Sequence, residues 1–431
     1  MEKEAKTNFS FASIALSFFI LIVLPLTITG VIISKGVIKV GEEATQANLR
    51  ILDDNQKQSI AGRAQNVADA VAQFLSDREK DIRIASILPR DEQSYTTFLK
   101  SNTRGVIQSS NVGIVKIPLP VYREIAFLDK TGKEALKVTV DGVASQEQLR
   151  DMSNPANGEY GEEDYFLRAK ELAPGEFYMG NLVGMHVTKQ EFEAGKQFSG
   201  IIRMAAPVFD SSGFAGVVAM SLDYRHVMEF TDHLVPTEPG MVFAKVNPED
   251  MNYTFLVGRD GSMLTHPAQY FIGGLGADKN PVPVMDDKNF NDLVKSGEGS
   301  MNVLNMGFMD ENLPKIHALA ASGKSGSFTY TIDNKRIFIA YAHIPFYGSV
   351  YSKPEGYGWV GMMVDIDKYH KLSEDKVKDI QLKVERWQKS SIVVVFVSLI
   401  LLFVIALILA RGLYRSIQKR EGKAPLGDYE D

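Results

Sequence analysis

The sequence contains no cysteine. Disulfides, thiolate metal sites, iron–sulfur clusters and cysteine nucleophiles are therefore excluded. Positive charge is not in excess either, because 47 Lys and Arg residues face 53 Asp and Glu residues, for a net charge of −6. A protein that binds nucleic acid normally carries a basic patch or stripe, so we do not expect a nucleic-acid partner.

Signatures of enzymes are also missing. The seven His residues do not show the spacing of metal ligands, and no G-x-S-x-G nucleophile elbow occurs. Gly323-Lys324-Ser325 resembles the end of a phosphate-binding loop, but Ala318 stands where the first glycine of that motif should be. We therefore expect no enzymatic activity, no cofactor and no metal site.

Charge is absent from two long runs, residues 7–34 and 390–410. A helix rises about 1.5 Å per residue and the hydrocarbon core of a membrane is about 30 Å thick, so each run can span it. We predict transmembrane helices at residues 9–34, where Pro25 is the expected site of a kink, and at 390–410. A cleaved signal peptide is the alternative for the first run, but the run is too long and lacks an A-x-A-like cleavage site.

The charges beside these runs predict the orientation of the chain. Before the first run, Lys3 and Lys6 are offset by Glu2 and Glu4, whereas five basic residues follow the second run: Arg411, Arg415, Lys419, Arg420 and Lys423. The positive-inside rule places this basic tail in the cytoplasm. With two spans, residues 1–8 and 411–431 are then cytoplasmic and residues 35–389 are extracytoplasmic. A tail of 411–431 is too short for a kinase, a cyclase or a methyl-accepting coiled coil, so we expect a receptor layout without an output domain.

Residues 42–88 have the pattern of one long helix. Their apolar residues recur at alternating spacings of four and three, which is a coiled-coil seam: Ile60, Ala64, Val67, Val71 and Phe74. Two interpretations are open, a helix packed on its own sheets and a helix that forms the stalk of a homodimer. Pro89 is expected to end the helix.

The rest of the outer region predicts short strands joined by turns, and the pattern occurs twice. The turn at Gly132 matches the turn at Gly261, and the segment 220–223 matches the segment 364–367. Two copies of one α+β module with antiparallel sheets are the simplest explanation. We predict the modules at residues 89–232 and 233–370, followed by a connecting helix at 371–389.

Several short motifs along residues 42–370 carry a family resemblance. They are Phe127-Leu128-Asp129-Lys130-Thr131-Gly132-Lys133-Glu134, Asp164-Tyr165-Phe166, Gly175-Glu176-Phe177-Tyr178-Met179-Gly180, Arg203-Met204-Ala205-Ala206-Pro207-Val208-Phe209-Asp210, Gly258-Arg259-Asp260-Gly261 with His266-Pro267, and Ala340-Tyr341. With these motifs the sequence resembles the double Cache (dCache) sensor domain, the extracytoplasmic PAS-like domain of bacterial chemoreceptors, sensor histidine kinases and cyclases. The resemblance implies a long N-terminal helix, a membrane-distal and a membrane-proximal module, and a ligand in the distal one.

The same resemblance implies a set of ligand-binding residues. Tyr165, Phe166 and Tyr178 would form aromatic walls, Arg203 would hold a carboxylate or another anionic group, and Asp223 would accept a hydrogen bond. The alternative is that the aromatic residues belong to the core and that Arg203 pairs with Glu163, Asp164 or Asp223.

Two motifs depart from the pattern of family members that bind amino acids. Residues 163–166 lack the basic residue of the family's Arg-x-Trp-Tyr element, and residues 178–180 lack the Asp of its Tyr-x-Asp element. An amino-acid ligand is therefore not expected, and an organic acid is the leading class.

These observations favour a sensor in the cell membrane that binds a small solute. It would form a homodimer through the long helix and signal through its spans to a separate kinase or chemoreceptor. The alternatives are a scaffold protein of the cell surface with no signalling role, and a receptor that has lost its output domain.

Overall fold

The computed structural model describes residues 10–110, 113–242, 245–332 and 334–421. Residues 55–369 form one compact unit, and the described residues that precede and follow them form a second unit. The helices of the described chain are α1 Phe11–Phe18, α2 Leu24–Ile87, α3 Glu92–Ser101, α4 Tyr165–Lys170, α5 Lys189–Glu193, α6 Arg225–Met228, α7 Phe290–Ser296, α8 Asn312–Ala321 and α9 Ile366–Glu421.

The terminal unit contains two segments that are long and apolar enough to cross a membrane, Phe11–Ile32 and Ile392–Ile417. Their aromatic rings meet edge to face, with 6.0 Å between the ring centroids of Phe19 and Phe403. A π-helical turn at Phe19–Val23 separates α1 from α2. Because Pro25 follows it and has no N–H to donate, the regular helical hydrogen bonding is interrupted where the sequence predicted a kink.

The first module is built on a six-stranded antiparallel sheet with the strand order β5-β4-β3-β8-β7-β6. Its strands are β3 Tyr122–Asp129, β4 Glu134–Thr139, β5 Gly142–Val143, β6 Tyr178–Met185, β7 Ser199–Asp210 and β8 Gly213–Asp223. A separate hairpin, β1 Thr103–Ser110 with β2 Gly113–Pro120, precedes the sheet. The sequence patterns did not predict this hairpin.

The second module is built on a five-stranded antiparallel sheet with the strand order β10-β9-β13-β12-β11. Its strands are β9 Asn252–Gly258, β10 Met263–Thr265, β11 Gly326–Ile332, β12 Lys335–Ile344 and β13 Gly358–Asp365. With the long helix and the two apolar terminal helices, these sheets confirm the predicted α+β fold class.

Strand pairing shows that the two modules repeat one topology. The order β4-β3-β8-β7-β6 corresponds to β10-β9-β13-β12-β11. Leu128 pairs with Val217 in the first sheet as Val257 pairs with Trp359 in the second. This register aligns Asp223 with Asp365, two residues before the Asp367 that the sequence comparison had matched to it. The alignment changes because strand pairing takes the turns shared by the two modules into account. The short motif match compared only the residues of the motif.

One continuous hydrophobic core joins α2 to both sheets. It contains four of the five seam residues of α2, namely Ile60, Ala64, Val71 and Phe74, while Val67 packs against it partly buried. The second sheet contributes Phe338 and Val360 to the same core. The seam of the long helix therefore packs on the chain's own sheets, which is one of the two interpretations that the sequence left open.

Candidate functional site

The sheet of the first module has two unlike faces, because side chains alternate along each strand. On β3, Ile125 belongs to the core that contains α2, whereas Ala126 and Leu128 pack on the opposite face. Tyr165 and Phe166 of α4 cover part of this opposite face. Glu124 lies two residues before Ala126, so its side chain is on the same face of the sheet. This face therefore carries a carboxylate next to its apolar residues.

Arg203 on β7 is the centre of a buried ionic network on this face. Its guanidinium donates hydrogen bonds to the carboxylates of Glu124 and Glu163 and to the hydroxyl of Ser221. Burial would lower the pKa of Arg203, but the charges of Glu124 and Glu163 outweigh burial and raise it well above its usual value. Arg203 is therefore a permanent cation whose charge is neutralised within the fold.

Lys137 on β4 is the second cation of the network and pairs with Glu124 and Glu134. Its ammonium lies 2.9 Å from Glu124 and 3.3 Å from Glu134, and all three side chains are buried or nearly so. Burial would raise the pKa of the Glu124 carboxyl, but Arg203 and Lys137 together lower it to about 2. At neutral pH Glu124 is thus ionised although it is buried.

A second ionic cluster lies at the end of β8. Asp223 accepts hydrogen bonds from Arg123 at 2.9 Å and from Arg225 at 2.6 Å. Arg123 also donates to the hydroxyl of Ser199. Because Asp223 is almost fully buried and Arg123 keeps a quarter of its side chain exposed, Asp223 positions Arg123 beside accessible space.

A cavity of about 710 Å³ lies beside both clusters, between the sheet and the segment that follows β4. The residues of β3, β4, β7 and β8 that line it are Arg123, Glu124, Lys137, Thr139, Ile201 and Ser221. Its other wall contains residues of both signs: Asp141, Glu147, Arg150 and Glu159. The volume lies in the usual range for small-molecule sites. The cavity therefore offers ionic and hydrogen-bonding groups to a polar molecule.

The structure brings part of the predicted ligand set together. Arg203 lies 5.3 Å from the ring centre of Tyr165, and Tyr178 packs against the same apolar cluster as Tyr165 and Phe166. Asp223 lies in the other ionic cluster, with Arg123 and Arg225. None of the five is among the residues that line the cavity. Arg203 and Asp223 instead hold residues that do line it, namely Glu124 and Arg123.

The hydroxyl of Tyr178 is 3.4 Å from the carboxylate of Asp164, at the long end of the hydrogen-bond range. Burial and the charge of Asp164 raise the pKa of Tyr178 to about 12. Tyr178 is therefore a neutral side chain that packs beside the network.

Reasoning from the sequence missed Arg123, Glu124 and Lys137. The signal was available, because Arg123-Glu124 interrupts the apolar strand 121–128 and Lys137 stands between Leu136 and Val138. Charges inside a strand of a central sheet are seldom buried unless they are paired. Three such charges on neighbouring strands would have pointed to one shared network.

The cavity is lined mainly by charged and polar side chains. Among the described residues, no group of three or more His, Asp or Glu side chains has the arrangement of a metal site. Two ion pairs lie in its wall, Lys137 with Glu124 and Arg150 with Glu159. Groups of this kind can recognise a charged solute through hydrogen bonds and charge pairing.

No model of a protein family matches the chain, and no curated protein matches it. Solved structures do match. One is a domain of a sensory box/GGDEF family protein from Vibrio parahaemolyticus, with 14% identity, 73% of this chain and 98% of that chain covered, and a TM-score of 0.45. A second is the extracellular domain of the histidine kinase vpHK1S-Z8, with 13% identity, 76% and 98% covered, and a TM-score of 0.43. A third is the ligand-binding domain of the Pseudomonas fluorescens chemoreceptor CtaA in complex with L-isoleucine, with 14% identity, 75% and 98% covered, and a TM-score of 0.39. The chain is thus similar to sensor domains of receptors, at identities and TM-scores too low to carry its function.

Proposed function

We propose that this protein is a membrane-anchored extracytoplasmic sensor that binds a small polar solute in the cavity of the first module. The observation that carries the proposal is the charged cavity of about 710 Å³, whose polar walls are held in place by buried ion pairs. A purely structural module would gain more stability from an apolar filling of this space, because buried charges cost free energy even when they are paired.

The accessible cations favour a solute that carries a carboxylate. Arg123 and Arg150 both line the cavity and keep 25% and 36% of their side chains exposed. Arg150 is 4.0 Å from the half-exposed carboxylate of Glu159, which is a weak pair in water. A solute carboxylate can replace Glu159 at Arg150 and can bind Nη1 of Arg123, so an organic acid is the expected class.

The sheet itself connects the cavity to α2. Glu124, Arg203 and Ser221 are on the cavity face, while their neighbours Ile125, Ile202 and Leu222 pack in the core that contains α2. A solute that moves the charged side chains therefore shifts strands on which the long helix rests. Binding changes the balance of two states only if the solute prefers one of them.

The signal would leave through the helices that continue from this region. α2 starts in the first apolar segment, and α9 runs without interruption from the end of β13 through the second one. In the proposed orientation both termini are cytoplasmic, the protein is a homodimer through the outer face of α2, and a separate kinase or chemoreceptor receives the signal.

A thermal-shift screen of the full chain in lipid nanodiscs tests the proposal. The library contains organic acids, amines, amino acids, sugars and nucleobases. A solute at 100 times its dissociation constant adds about 2.7 kcal/mol to the stability of the protein and raises the melting midpoint.

The variant Arg123→Ala should abolish the shift, because it removes one of the two accessible cations that the solute carboxylate needs, while Asp223 keeps Arg225 as its partner. Arg168→Ala is the matched control, since Arg168 belongs to the same module, pairs with Asp164 on the surface and does not line the cavity. No shift across the library, or a shift that Arg123→Ala leaves intact, would contradict the proposal and favour a scaffold protein.

A further inference from the structure

The second module has its own cavity, at the position that corresponds to the polar cavity of the first. From the shared register, Glu124 of β3 corresponds to Tyr253 of β9, and Ser221 of β8 corresponds to Met363 of β13. All four residues line the cavity of their own module. The two cavities are therefore equivalent places in two copies of one fold.

The correspondence extends to the polar residue on the short edge strand. Both modules have an irregularity at the same step, where Leu128 pairs with Glu134 and Val257 pairs with Met263. Counted from the shared turn, Lys137 then corresponds to His266. Lys137 lines the first cavity and His266 lines the second. Each module therefore places one nitrogen-bearing side chain at this wall.

The second cavity has a volume of about 310 Å³ and walls of aromatic rings and thioethers. These rings and thioethers belong to Met251, Tyr253, Met263, Phe271, Met301 and Met363. An apolar cavity of about 150 Å³ is large enough for benzene, so this one holds a substituted ring or two small rings. Methionine side chains are flexible and adapt to the shape of such a molecule.

His266 gives this cavity one directional polar group. Its side chain is buried at 4% exposure, and the backbone N–H of Ala268 donates to Nδ1 over 3.0 Å. Burial lowers the pKa of His266 to about 4, so the ring is neutral at physiological pH. With Nδ1 acting as acceptor, the ring proton is on Nε2. Among the residues that the structure describes, none accepts a hydrogen bond from Nε2.

The charge at the cavity selects against anions. Among the described lining residues, Glu249 is the one that is charged at neutral pH, and it is exposed. A carboxylate ligand would lose its hydration among apolar walls and would approach this negative charge. An uncharged ligand has neither cost.

We propose that the cavity of the second module is a binding site for an uncharged aromatic molecule of one or two rings, whose carbonyl or ether oxygen accepts a hydrogen bond from Nε2 of His266. The site is separate from the polar cavity of the first module, and it does not depend on the function proposed for that cavity.

Three probes of equal size test the site by ¹⁹F NMR on the full chain in nanodiscs. They are 4′-fluoroacetophenone, which has an acceptor oxygen, 1-fluoro-4-isopropylbenzene, which replaces that oxygen with a methyl group, and 4-fluorobenzoate, which is an anion. Empty nanodiscs of the same lipid measure partition into the membrane. We expect saturable binding of the first two probes, and for fluorobenzoate at least about tenfold weaker binding than for fluoroacetophenone.

Two kinds of variant locate the binding. His266→Phe should weaken fluoroacetophenone about three- to tenfold, the usual range for one net hydrogen bond, and leave the isopropyl probe within about twofold. Met301→Trp should fill the cavity and abolish binding of both, and Leu313→Trp, at another half-buried lining position, serves if Met301→Trp does not fold. Arg168→Ala, a surface change in the first module, should leave the binding of both neutral probes unchanged.

Each contrary result overturns the proposal. Probe signals equal to those of empty nanodiscs would show that the cavity does not bind ring molecules. Binding that survives in a folded Trp variant would place it elsewhere, and an equal loss of both neutral probes in His266→Phe would remove the hydrogen bond from the proposal.

Discussion

The two modules share one topology and differ in the chemistry of one sheet face. Four equivalent pairs show the difference, with the first module named first: Glu124 and Tyr253, Ser221 and Met363, Arg203 and Ile339, Lys137 and His266. In the first module these positions form a buried ionic network, whereas in the second Tyr253, Met363 and His266 line an apolar cavity and Ile339 belongs to the hydrophobic core of that module. The comparison teaches that the backbone fixes where a cavity lies and that the side chains decide what it can bind.

The shared backbone rests on one close contact that occurs in both modules. Gly216 of β8 and Gly358 of β13 occupy equivalent positions with φ of 149° and 145°, and a Cβ would stand 2.1 Å or 2.0 Å, respectively, from a carbonyl oxygen of the neighbouring strand. We expect Gly216→Ala and Gly358→Ala each to lower the free energy of unfolding by about 4 kcal/mol or more. Urea unfolding measures the loss.

Gly62→Ala is the control for these variants, because a Cβ at Gly62 in α2 meets no atom within 4 Å. It should raise stability by about 0.5–1 kcal/mol. If either strand glycine accepted alanine without loss, the close contact would not be a shared requirement of the modules.

The ionic network should respond to truncation differently from its apolar counterpart. Arg203→Ala leaves Glu124 and Glu163 without their main partner, and we expect a loss of about 3–5 kcal/mol. Adding Glu163→Gln should recover part of this loss, because one unpaired charge is removed. Ile339→Ala in the second module should cost about 2–4 kcal/mol, with no charge variant that restores it. The absence of any recovery in the double variant would contradict the charge explanation.

The two modules should lose stability in different pH windows. The pKa of Glu124 is lowered to about 2, below its unfolded value, so its contribution is present above about pH 4.5 and is lost as the pH falls towards 2. The pKa of His266 is lowered to about 4 from about 6.5, so its contribution is lost as the pH falls from 6.5 to 4.

Melting midpoints of the variants across pH 2–7 separate these contributions. Glu124→Gln should flatten the dependence between pH 4.5 and 2, and His266→Phe should flatten it between 6.5 and 4, each by an amount on the order of 2 kcal/mol. Identical pH profiles for wild type and both variants would show that these two groups are not perturbed by the fold.

The smallest expected effect concerns Tyr178. Its hydroxyl makes one long contact of 3.4 Å with Asp164, so Tyr178→Phe should change stability by less than about 0.5 kcal/mol. It should also leave the solute-induced thermal shift unchanged, because Tyr178 does not line the cavity. A lost shift in this variant would restore Tyr178 to the ligand-binding wall that the family resemblance implied.

Much of the fold could be predicted because its signals are local. Uncharged runs predict the apolar helices, and turn residues between alternating strands predict hairpins such as the one at Gly132. The hairpin of β1 and β2 was not predicted because β1 is largely polar and β2 contains Pro118 and Pro120, which weaken a strand pattern.

The site was harder to predict because it depends on neighbours distant in sequence. Arg203 meets Glu124 across 79 positions and Arg123 meets Asp223 across 100. Short family motifs draw attention to aromatic residues that stand within them, such as Tyr165. The cavity instead lies beside charged residues that come from four different strands, and no single motif contains them.

Hydrogen–deuterium exchange of the full chain in nanodiscs tests the central claim most directly. The solute that raises the melting midpoint most in the screen is compared with buffer alone, in the wild type and in Arg123→Ala. The account predicts slower exchange in β3, β4 and the segment 141–163, with little change at 247–271, and no protection in the variant. Protection confined to the second module, or none in 141–163, would contradict a solute site in the first module.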